Sequence, residues 1–136
     1  MADLYALDLA LDLRESVPDP VLAVLRRHLG EGEPTSDDGF DMYPLLAERG
    51  PAYRIGGVCV AELARTETGW SLTARQEVHA ELMPDVDALV ELLAAHSDTV
   101  GVIGQLRWYE DYVLELLINE SGTVTRLSLT PEPTLP

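Results

Sequence analysis

The residues able to move protons, attack carbonyls or hold metals are few and scattered. The histidines are His28, His79 and His96. His28 and His96 each close a stretch with helical spacing, where an imidazolium suits the negative end of the helix dipole. His79 stands two residues from Glu77 near a strand end. Alternate carboxylate and imidazole on one strand face is the arrangement a proton relay would use. No His-x-x-x-His or His-Glu-x-x-His spacing occurs, so a zinc hydrolase is not supported. Cys59, between Val58 and Val60, reads as a small buried hydrophobe, with nothing nearby in sequence to lower its pKa. Gly-x-Ser-x-Gly is absent, and so is a Gly-rich phosphate loop with Lys, because the chain has no Lys. Asp37-Asp38-Gly39-Phe40-Asp41 has the composition of a calcium loop but not the EF-hand spacing or its closing Glu. The residue set leans against an enzyme, and neither a cofactor nor a metal is expected.

What dominates instead is charge. Nine Lys+Arg, all of them Arg, face 24 Asp+Glu in 136 residues, a formal charge of −15 at pH 7. Such a field repels phosphate backbones, whose binding needs basic side chains to displace counterions, so nucleic acid is not an expected partner. A basic protein would be drawn in. The apolar share of 46% is too high for a disordered chain, and the length suits one domain. No apolar run is long enough to span a membrane, and the first twenty residues lack a basic leader. With a single cysteine there is no internal disulfide, and a soluble cytoplasmic protein is expected.

The elements that must position these residues follow from periodicity. Leu7, Leu9, Leu11 and Leu13 alternate with polar or small residues and make a strand with one buried face. Asp19-Pro20 opens a helix that Gly30 ends. Residues 31–52 form a long acidic loop with room for a short helix between Tyr43 and Arg49. Residues 53–65 and 70–80 form a hairpin across Thr66-Glu67-Thr68-Gly69 that pairs Leu63 with Leu72 and Ala61 with Ala74. A second helix runs from about Pro84 to His96. The last third is a three-stranded meander, and its register can be argued from side-chain faces. A loop of Tyr109-Glu110-Asp111 aligns Leu106 with Leu114, Gly104 with Leu116 and Val102 with Ile118. A shorter turn would set Leu106 against Glu115 and mix the faces. The next turn then sets Leu114 opposite Leu127. The order β-α-β-β-α-β plus two strands predicts an α+β fold, a ferredoxin-like split βαβ sandwich with two extra C-terminal antiparallel strands. In it the helices cover one face and the strand order is 6-5-4-1-3-2. Residues 1–130 form a single domain and 131–136 a loose Pro-rich tail.

In that arrangement the first strand is central and sends Asp8 and Asp12 to the open face. Arg75, His79 and Glu77 lie on one flank, with Gln105 and Arg107 on the other. Ile103, Leu117 and Val124 fall on the same side, which suggests a homodimer closing that face. Two functions fit. One is a non-catalytic acidic protein-interaction module, a class that includes immunity and antitoxin-like proteins. There the acidic segment with Asp37, Asp38 and Asp41 would contact a basic protein partner. The other is a small-molecule-binding protein or small enzyme using the open face, lined by Asp8, Asp12, Arg75, His79 and Arg107.

Overall fold

The computed structural model describes residues 3–31, 44–110 and 113–129. The segment holding Asp37, Asp38 and Asp41, and the 131–136 tail, lie outside the described residues. Seven strands form one wholly antiparallel sheet: β1 (Leu4–Arg14), β2 (Gly50–Pro51), β3 (Val58–Thr66), β4 (Gly69–His79), β5 (Gly101–Trp108), β6 (Glu115–Glu120) and β7 (Thr123–Ser128). Two helices accompany it, α1 (Asp19–His28) and α2 (Met83–Ala95), the latter preceded by a 3-10 turn over Ala80–Leu82. The sheet order is β2-β3-β4-β1-β5-β6-β7, with the first strand at the centre. Apart from the two-residue edge strand β2, that is the order expected from the sequence.

The fold class itself is not the expected one. The described residues are mostly one seven-stranded sheet with two helices, not a ferredoxin-like βαβ sandwich with helices layered on one face. Width is the physical reason. Seven strands about 4.8 Å apart span about 29 Å, whereas two helices side by side cover about 20 Å. Helices of 10 and 13 residues therefore cannot form a complete second layer. The 44–49 segment fills part of the gap: Leu45 and Leu46 are buried in the core, and the segment makes a turn rather than the short helix foreseen there.

The core lies against the face of β1 that carries Leu7, Leu9, Leu11 and Leu13. Leu25 and Leu29, Leu45 and Leu46, and Val86, Leu89, Val90 and Leu93 pack there. His28 also lies in this interior. Its Nδ1 accepts the Leu45 N–H at 3.1 Å, and its carbonyl accepts the Leu46 N–H at 2.8 Å. Burial pushes its pKa down, against a smaller upward pull from Asp85. The expected imidazolium at a helix end is thus replaced by a neutral ring used as an acceptor.

The hairpin joining β3 and β4 has the foreseen register, with Leu63 opposite Leu72 and Ala61 opposite Ala74. The meander does not. Leu106 faces Glu115 and Gly104 faces Leu117, the alignment that sequence faces argued against. An irregularity between Val102 and Gly104 then restores Val102 opposite Ile118. One additional residue in β5, Ile103, absorbs the slip. Because a one-residue slip exchanges the faces of a strand, Leu117 turns inward while Leu116 and Ile118 turn outward. The β6–β7 turn is also tighter than expected. Ser121 and Gly122 at φ 54° and 94° make a two-residue hairpin, so Leu116 rather than Leu114 faces Leu127.

Candidate functional site

Register alone assembles a polar row in the middle of the face opposite the core. Asp8 is opposite Arg75 on β4 and Gln105 on β5, while Arg75 is opposite Val60 on β3. Beyond Gln105 the row continues as Leu116 and Leu127. Three polar side chains therefore sit between aliphatic flanks. Arg75 Nε lies 3.8 Å from Asp8 Oδ1, and Gln105 Nε2 lies 3.4 Å from Asp8 Oδ2. A shallow trough of about 360 Å³ opens over this row, with Val60 and Val102 as walls and Ala10 and Thr73 in its lining.

One end of the face is closed by the backbone of residues 52–57, which runs as a strap across Glu77, Ala6 and Arg107. Sequence alternation had assigned these residues to a strand, but β3 begins only at Val58. Gly56 and Gly57 have φ of 79° and 69°, left-handed geometry that turns the chain, and the Ala52 N–H donates to the Gly57 carbonyl. Glu77 holds the strap from below: its carboxylate accepts the N–H groups of Tyr53, Arg54 and Ile55. Burial works to raise the Glu77 pKa. The bonds from Arg54, Ile55 and Tyr53, with His79 nearby, outweigh it and leave the carboxyl below its ordinary value. Arg75 donates to the carbonyls of Gly56, Val58 and Ile55 at 2.8, 3.5 and 3.5 Å, and Arg107 to that of Ile55 at 3.5 Å. Arg54 lies over the Tyr53 and Tyr109 rings, tying the strap to the end of β5.

The expected site residues therefore separate. Asp8 and Arg75 meet in the trough with Gln105. Arg107 donates to the Ile55 carbonyl of the strap and to the Tyr109 carbonyl at the end of β5. His79 ends β4 opposite Leu4, away from the trough, and acts on Glu77 through its charge. Asp12 is exposed nearer the other end of β1, where its backbone is engaged: its N–H donates to the Thr99 hydroxyl, and its carbonyl accepts from the Ser97 hydroxyl and the Asp98 N–H. The dimer surface foreseen from Ile103, Leu117 and Val124 is not exposed. Ile103 and Leu117 are each 1% exposed in the core, and Val124 packs against it. The bulge and the slip it carries place them there. Their places on the open face are taken by Val102, Leu116, Ile118 and Leu127.

Cys59 is buried, and burial is the first reason its thiol pKa is raised, which fits packing rather than nucleophilic use. Among the described residues no group of three or more His, Cys, Asp or Glu is placed to hold a metal ion. No helix among them is long and apolar enough to cross a membrane. Sequence reasoning missed two functional elements, the strap and the Val60–Val102 walls. Gly56-Gly57 is the one signal that could have marked the strap. Compared with known proteins, the chain matches no family model, no curated protein and no solved structure.

Proposed function

We propose that this chain is a non-catalytic protein-interaction module whose working surface is the open face of its sheet and whose partner is a basic protein. One observation carries the reading. Val58, Val60, Val102 and Leu127 are each 46–52% exposed on that face, around a polar centre. Aliphatic side chains half in water around a small polar centre are what a protein partner desolvates in an interface. The charge of −15 supplies long-range attraction for a basic surface. Immunity and antitoxin-like proteins work by such a division between apolar contact and electrostatic steering.

The small-molecule reading, as a binding protein or small enzyme, has the trough in its favour. That trough is open to solvent and its lining contains neither His nor Cys. Native mass spectrometry of the chain isolated gently from its own cells separates the two. A retained polypeptide is expected, released by salt and lost when Val60→Glu and Val102→Glu are combined. A retained small molecule in its place, or a polypeptide that the double variant keeps, overturns the proposal.

A further inference from the structure

The interaction-module reading leaves unstated what the trough itself receives. Its chemistry is asymmetric. Among the described residues of the lining Asp8 is the one carboxylate and Arg75 the one cation, and the Asp8 side chain is 35% exposed. Its two protein contacts, 3.8 Å from Arg75 and 3.4 Å from Gln105, are both longer than a good charge-assisted hydrogen bond. Arg75, the cation of the same lining, keeps its charge 3.8 Å from Asp8, but its terminal nitrogens donate to the strap carbonyls and not to the carboxylate. Asp8 therefore keeps lone pairs that no short hydrogen bond takes up. Thr73 and Gln105, also in the lining, carry neutral polar groups.

The trough is a depression because its floor is small and its sides are branched. Ala10 lies on the open face of β1, opposite Thr73. Val60 and Val102 rise on either side. An apolar channel ending at a partly desolvated carboxylate matches an alkyl stem with a cationic head, which buries its methylenes and sets its charge on the acid. An anion would meet Asp8. A purely apolar group would desolvate Asp8 without compensation. A divalent cation would find one carboxylate where it needs several oxygen ligands.

We infer that the trough between Val60 and Val102 is a receptor for one arginine or lysine side chain of the basic partner, with Asp8 as its counter-ion. The source of that side chain rests on the proposed function, while the site rests on the trough's own geometry. The probe is N-acetyl-arginine methylamide, titrated into the isotope-labelled chain and followed by backbone amide shifts. Saturable shifts are expected at Asp8, Ala10, Val60, Thr73, Val102 and Gln105, with millimolar affinity. Asp8→Asn should weaken binding about tenfold. Ala10→Leu, which fills the floor and leaves the carboxylate, should do the same, and Asp12→Asn should leave it unchanged. The inference is overturned by shifts that never saturate, by shifts that instead follow the acidic surface of α2, or by binding that Asp8→Asn and Ala10→Leu both leave intact. A basic polypeptide retained equally by the Asp8→Asn chain overturns the trough's role while sparing the function. Probe binding with no polypeptide retained in native mass spectrometry overturns the function and, with it, the partner as the source.

Discussion

Gln76 and Glu48 bond each other twice: the Glu48 N–H donates to Gln76 Oε1 at 3.0 Å, and Gln76 Nε2 donates to the Glu48 carbonyl at 3.0 Å. Gln76 Nε2 also reaches the Val60 carbonyl at 3.0 Å, and the side chain is completely buried. A single carboxamide thus fastens the 44–49 segment to β3 and β4. Gln76→Leu would remove the partner of the part-buried Glu48 N–H and of the Glu48 and Val60 carbonyls. The expected loss is about 2–4 kcal/mol, read as a lower urea midpoint with an unchanged slope. A variant of unaltered midpoint would mean that water replaces the carboxamide without cost.

The strap should respond to Glu77 alone. In Glu77→Gln the acceptor charge is lost and an N–H₂ group faces three backbone donors. The Tyr53, Arg54 and Ile55 amides should then exchange with solvent at least about tenfold faster at neutral pH while β1 stays protected. The sign of the pH effect follows from the lowered pKa. The carboxylate contributes its stability fully above the ordinary value of 4.5 and loses it as the pH falls through the lower folded value. Amide protection at these three positions should therefore survive mild acid and disappear only below 4.5.

His28 has the opposite working range. Its folded pKa lies below the ordinary 6.5, so the unfolded chain takes up the proton first as the pH drops below 6.5. Stability should decline from there until the folded value is passed. His28→Gln keeps an acceptor for the Leu45 N–H but does not titrate. Urea midpoints measured from neutral to mildly acidic pH should show a shallower decline in this variant. Equal slopes in the two chains would show that the ring is not held neutral by burial.

Much of the sheet was legible because alternation in β1, β3 and β4 is strong and the Glu67-Thr68 turn fixes their register. Strand order came by analogy with the ferredoxin-like arrangement, and it coincides with the observed order apart from β2 although that fold class does not hold. Three features were hidden for physical reasons. The bulge at Ile103 is one added residue inside an apolar run, where Val102 and Ile103 are equally suited to either face. Periodicity therefore could not say which turned inward, and the assignment of Ile103, Leu117 and Val124 to an interface failed with it. The strap reads as strand because Tyr53 and Ile55 alternate with Arg54 as strand residues do. The fold class was misjudged because helix spacing shows that helices form, not how much of a seven-stranded sheet they can cover. Of the site, Asp8 and Arg75 were visible from register alone. The bonds from Arg75 and Arg107 to carbonyls of the strap depend on a chain path that pattern reading cannot supply.

The central place of β1 has a consequence for how the chain reaches this structure. β1 precedes its partners β4 and β5, which end at His79 and Trp108, by a long stretch of chain. The β3–β4 hairpin and the β5–β6–β7 meander can close on their own through short turns, while the leucine-rich strand between them waits for both. Its pairings with β4 and β5 therefore span the longest stretches of chain in the sheet, and these long-range closures carry the largest loop entropy.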